Sequence, residues 1–104
     1  LGHALKMAQS SHVSLRIDSS QLPSIPTVVH LLQEGCIPGA AFRNRQYVQP
    51  HIHTANSCST EMLLLACDAQ TSGGLLMGVD AQLAEQVLEE LHQNGNHPMA
   101  AIVG

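Results

Sequence analysis

Apolar residues recur along this chain at two periods, and the two periods divide it into helices and strands. Leu1, Leu5 and Ala8, with Ala4 and Met7 beside them, fall at helical spacing, and Ser10-Ser11 closes the run. Val13, Leu15 and Ile17 then alternate with Ser14 and Arg16, the period of two that a half-buried strand shows. Helical spacing returns at Ile25, Val28, Val29 and Leu32, behind Ser24 as N-cap and Pro26 in the first turn. Gly35 stands where a left-handed C-cap belongs. From Thr60, read as an N-cap, the helix formers of Glu61-Met62-Leu63-Leu64-Leu65-Ala66-Cys67 favour a short helix over a buried strand. Leu75-Leu76-Met77-Gly78-Val79 reads as a buried strand. Asp80 then caps a helix whose apolar face is Leu83, Ala84, Val87, Leu88 and Leu91, Asn94-Gly95 closes it, and Met99 to Val103 forms a last strand.

Residues 36–59 keep neither period. Pro38-Gly39 marks a turn, and Asn44, Gln46, Gln49, Pro50, Asn56 and Ser57 read as loop, with a short extended piece at Tyr47-Val48. So long a structureless stretch is uncommon inside a compact domain, so this one is expected to be functional, docked on a partner or mobile. Helices and strands that interleave over one modest core predict a layered α/β domain.

Composition narrows the function classes. A chain of 104 residues is one domain, residues 1–104, and 44% hydrophobic residues exclude a disordered tail. Charged residues make up only 12%, about half the usual share of a soluble domain. Four Lys and Arg against eight Asp and Glu give a net charge of −4, and Phe42 and Tyr47 are the whole aromatic complement. Such a surface neither tracks phosphates nor stacks bases, so nucleic acid is not an expected partner. No apolar run approaches the ~20 residues a membrane span needs. The opening segment lacks the basic-then-apolar order of a signal peptide. The helical pattern is already under way at Leu1 and no initiating Met precedes it, which sets the expectation of a piece of a longer protein. Cys36, Cys58 and Cys67 are odd in number and loosely spaced, which fits a reducing cytoplasm better than a disulfide framework.

Three groups could carry chemistry. His51 and His53 would share one side of a strand, as a two-ligand metal site needs, but no recognised zinc spacing supplies further ligands, so no metal site is assigned. The cysteines have no Lys or Arg near Cys58 or Cys67 in sequence, and Cys36 follows a helix C-terminus, so all three are read as small buried hydrophobes. Asp68-Ala69-Gln70-Thr71-Ser72-Gly73-Gly74 is the most informative run. Two glycines let backbone approach a ligand, and adjacent hydroxyls and amides can bind an anion. It is not a P-loop, because it leads into an apolar extended run and no Lys follows.

Asp68 to Gly74, continued by Leu75-Leu76, is very similar to the D-P-Q-T-S-G-G-L-L signature of the selenophosphate synthetases (selenide, water dikinases). Leu1-Gly2-His3-Ala4-Leu5-Lys6-Met7-Ala8 resembles that family's L-G-H-x-x-E-M-A helix. Leu22-Pro23-x-Ile25-Pro26 followed by Gly35-x-x-Pro38-Gly39 and Asn44 resembles its I-P-x-L-P…G-x-x-P-G-G-T-x-x-N stretch, and Ala101-Ile102-Val103-Gly104 its A-x-I-I-G strand. The landmarks span the chain in the right order. Ala69 stands where the family has Pro, Ala40-Ala41 where it has Gly-Thr, and Lys6 where it usually has an acid.

The resemblance implies the C-terminal domain of the aminoimidazole ribonucleotide synthetase type, an α+β fold with a mixed sheet of about four strands covered by helices. It implies a full-length parent that makes selenophosphate from selenide, ATP and water with magnesium, releasing AMP and phosphate. That parent would be a cytoplasmic homodimer, and this domain's partner would be its own N-terminal domain, which carries the reactive Cys or selenocysteine, the catalytic Lys and the metal-binding aspartates. Residues 1–104 alone are then expected to bind neither ATP nor magnesium and to hold no catalytic residue. Asp68, Gln70, Thr71, Ser72, Gly73 and Gly74 would form a loop facing the ligand or the domain interface. Two rivals fit the same residues: another ATP-dependent enzyme of that superfamily, such as a thiamine-phosphate kinase or a hydrogenase-maturation protein, and a non-enzymatic interaction module.

Overall fold

The computed structural model describes residues 1–70 and 72–104; Thr71 lies outside the described residues. Five helices carry the architecture: α1 (Gly2–Ser11), α2 (Val28–Gln33), α3 (Gly39–Val48), α4 (Thr60–Ala66) and α5 (Ala84–Gln93). Short 3-10 turns at Ser19–Gln21 and Gln49–His51 join them. α4 packs against α2 and α3, and α3 packs in turn on α1. The core between them holds Ala4, Leu32, Ala41, Val48, Leu64 and Cys67.

The helix ends follow from local chemistry. α1 closes on His12 in the left-handed region, where the N–H of His12 donates to Gln9 and that of Val13 to Ala8. α2 closes in the same way on Gly35, at φ 85, with Gly35 donating to Leu32 and Cys36 to Leu31. Gly tolerates that backbone conformation without the Cβ penalty of other residues. α4 opens on Ser59, one residue before the expected cap Thr60, and the Ser59 hydroxyl accepts from the N–H of Met62 at 3.2 Å.

The expected mixed sheet is absent: among the described residues there is no strand. The segments read as strands, 13–17, 75–79 and 99–103, are extended or irregular and lack a ladder partner. Period-two alternation specifies which side chains could share a face, whereas a strand also needs a neighbour's N–H and C=O groups alongside it. The 13–18 and 99–104 stretches come close enough for one backbone bond among the described residues, Asp18 N–H to Val103 O at 2.7 Å, and one bond makes no sheet. The α/β expectation is therefore corrected to an all-helical arrangement with long extended connections.

Three boundaries are corrected as well. The helix expected from Ser24 begins only at Val28, because Thr27 takes a left-handed turn at φ 68, and Ile25 is left exposed. Asp80 caps a turn and not α5: its carboxylate accepts from Gln82 and its carbonyl from Leu83, and the helix starts after them. The stretch read as loop, with an extended piece at Tyr47-Val48, holds α3, which contributes the deeply buried side chains of Ala41 and Val48. Ile37, Ala40, Ala41, Asn44, Arg45 and Val48 are its covered positions, a regular helical stripe interrupted by two polar residues.

Candidate functional site

The run from Asp68 begins where α4 stops. Cys67 caps the helix, and the N–H of Asp68 still bonds back to the carbonyl of Leu65 at 3.0 Å. From there the chain turns, and Asp68 holds the turn. One carboxylate oxygen accepts from the Ala69 N–H at 2.9 Å and the other from the side-chain amide of Gln70. Gly73 then folds back over Gln70, so closely that a Cβ on Gly73 would stand 2.9 Å from the Gln70 Cβ. A side chain there would force the turn to shift. At Gly74 a Cβ would meet nothing within 4 Å.

The structure thus brings together Asp68, Gln70 and Gly73, while Ser72 and Gly74 stand exposed beside them. Thr71, named with them from the sequence, lies outside the described residues. Because both Asp68 oxygens are engaged within the turn, the carboxylate serves as its brace. The groups left to meet a ligand are the exposed Ser72 hydroxyl and backbone N–H groups, donors that suit an anionic oxygen.

The other candidates separate. His51 and His53 line a groove of about 1000 Å³ between α1, α4 and the extended 13–18 segment. Among the described residues no three His, Cys, Asp or Glu side chains converge as a metal site requires. Cys67 is buried, and burial pushes its thiol above the usual range, which keeps it protonated and unreactive. Cys36, expected to be buried, is exposed, and Cys58 is half-buried with its thiol toward the Ser59 carbonyl.

One residue of the site was missed. Asn44 on α3 donates from its side-chain amide to the Cys67 carbonyl at 2.9 Å, tying the start of the turn to a helix 23 residues away in sequence. The usable signal was its spacing, three residues after Ala41 and four before Val48, a covered position on a helix that its polar residues disguised.

No family model and no solved structure matches this chain. Relatives do. A selenide, water dikinase of Porphyromonas gingivalis is 52% identical over 104 residues, all of this chain and 29% of the relative. That of Pseudomonas straminea is 38% identical over 104 residues, again 29% of its length. That of Clostridioides difficile is 36% identical over 95 residues, 91% of this chain and 27% of the relative. Along its whole length this chain is a homologue of the selenide, water dikinases, and it spans about 29% of the length of the curated relatives it matches.

Proposed function

We propose that this chain is the C-terminal domain of a selenide, water dikinase, an enzyme that forms selenophosphate from selenide, ATP and water and releases AMP and phosphate. The observation that carries the reading is the 52% identity sustained over all 104 residues. On this reading the reactive Cys or selenocysteine, the catalytic Lys and the magnesium-binding aspartates belong to the N-terminal domain, in a cytoplasmic homodimer. The residues present here do not fit a magnesium site, since no acidic cluster converges among the described residues, and Lys6 is the only Lys. Residues 1–104 alone are therefore expected not to hydrolyse ATP.

The domain's contribution is a surface and a turn. Its accessible area is 7895 Å², against roughly 5,700 Å² for a compact monomer of 11.1 kDa. That excess exceeds the ~800 Å² that one partner commonly buries in a standard interface, which supports packing against the rest of the parent. On this reading the exposed Ser72 hydroxyl and the amides around Gly73 and Gly74 are the donors turned toward the ligand or the domain interface, where they suit an anionic group.

The test is made in the full-length parent. Thr71→Ala and Ser72→Ala are each expected to lower selenophosphate formation at an unchanged melting temperature. Lowered stability with full activity per folded molecule would return the segment to an ordinary turn. ATP hydrolysis by the purified 104-residue chain, free of contaminants, would overturn the assignment of catalysis to the N-terminal domain.

A further inference from the structure

Cys67 ends α4, and its carbonyl is one of the last four in the helix, which have no partner further along the helix. The donor that satisfies it comes from α3: the Asn44 side-chain amide, at 2.9 Å and partly buried. Among the described residues no other side chain from outside the turn bonds to residues 67–74, so this is the turn's one side-chain tether to the core. Asn44 is flanked on its helix face by Ala41, 1% exposed, and Val48, fully buried, and Cys67 is 1% exposed. A polar amide among such neighbours is costly unless it is hydrogen-bonded, and here the bond spans two helices.

We infer that Asn44 is a positioning residue that sets the direction in which the Asp68–Gly74 turn leaves α4. The carbonyl it holds belongs to the peptide that joins Cys67 to Asp68. Rotation of that peptide carries the Asp68 N–H, the brace from Asp68 to Ala69 and Gln70, and the exposed Ser72 with it. Losing the amide would leave the turn intact as a local unit but aimed elsewhere. The inference rests on the reading of that turn as ligand-facing.

The experiment is a double-mutant cycle in the full-length parent, with selenophosphate formation measured per folded molecule and melting temperature measured alongside. Asn44→Ala and Ser72→Ala should each lower kcat, by roughly tenfold for the lost bond, and the double variant should be no worse than the more damaged single one, because both act through one turn. The Asn44→Asp variant keeps the shape and loses the donor. Its kcat relative to wild type should be depressed at neutral pH and recover as the pH falls and the protonated carboxyl again donates to the Cys67 carbonyl. That arm decides the matter if Asn44→Ala does not fold. Normal activity per folded Asn44→Ala molecule beside an impaired Ser72→Ala overturns the positioning role and leaves the turn's role standing. Normal activity of Ser72→Ala overturns both. Additive losses, or no recovery of Asn44→Asp at low pH, overturn the positioning role.

Discussion

Residues 1–67 and residues 68–104 carry comparable apolar patterns and do different things with them. All six buried side chains lie in the first region, and none of the described residues of the second is buried. α5 is more strongly amphipathic than α1 or α3, yet no helix packs extensively on it and Leu83 is half exposed. Leu75, in the run that precedes it, is 89% exposed. α3 is the reverse: weakly amphipathic, with Asn44 and Arg45 on its covered face, it nevertheless supplies Ala41 and Val48 to the core. Amphipathicity measures what a face could bury. Whether it is buried depends on a second surface being present, and among the described residues the apolar positions of α5, Ala84, Val87, Leu88 and Leu91, are only half covered.

The sharpest way to break this comparison is a pair of core truncations in the 104-residue chain. Leu64→Ala should destabilise it by about 2–5 kcal/mol, as buried leucines do, whereas truncation of the half-buried Leu88 of α5 should cost less, about 1 kcal/mol. Urea midpoints at constant slope read both values. Equal costs would mean that α5 is as well covered as α4. In the full-length parent the Leu88→Ala cost should rise toward the Leu64→Ala value as the open face gains its cover.

Within the second region the turn at Asp68 should resist change at one of its two glycines and not at the other. Gly73→Ala should cost about 1 kcal/mol, the low end for overpacking, since the new Cβ meets the Gln70 Cβ at 2.9 Å in a turn that can shift. Gly74→Ala, with open space around it, should be nearly neutral in the same thermal melts. Equal effects would erase the close approach.

Thiol chemistry sharpens the same boundary. Iodoacetamide should modify exposed Cys36 while Cys67, buried and with its thiol pushed up by desolvation, reacts more slowly by at least an order of magnitude. Peptide mass spectrometry of the native chain reads the ratio, which should collapse in urea. A native Cys67 as reactive as Cys36 would show that the core is open.

The smallest expected effect concerns pH. The Ser20 hydroxyl, then the Ser20 N–H, hold Asp18 below its ordinary 3.8, and the Glu61 backbone N–H and the Ser59 hydroxyl hold Glu61 below its ordinary 4.5. Both carboxylates bind protons more weakly folded than unfolded. Their contribution is therefore complete above those ordinary values and is lost as the pH falls through the lower folded ones. Both are exposed, so the change is slight. Ser20→Ala should reduce the acid-side fall in melting temperature, and an unchanged acid limb would remove Asp18 from the account.

α1, α4 and the left-handed close of α2 at Gly35 were legible because their signals are local, runs of helix formers and a glycine where a Cβ would strain the backbone, although the cap of α4 is Ser59 and not Thr60. The brace of Asp68 joins the Ala69 N–H and the Gln70 side-chain amide, a local turn that only the structure revealed. α3 was hidden because Asn44 and Arg45 occupy the middle of its covered stripe, and polar residues there are acceptable only when the neighbour they meet is known. The Asn44 amide meets the Cys67 carbonyl, and no local rule places those two atoms together. The strands were over-read for the same reason in reverse. Alternation in 13–17 and an apolar run at 75–79 describe surfaces ready to pair, and pairing is a property of two segments. By itself the sequence determined where α1, α2 and α5 close and, through its ordered motifs, the kinship with the selenide, water dikinases. Tertiary structure alone decided which faces are covered, because burial requires a partner surface and local pattern states only readiness for one.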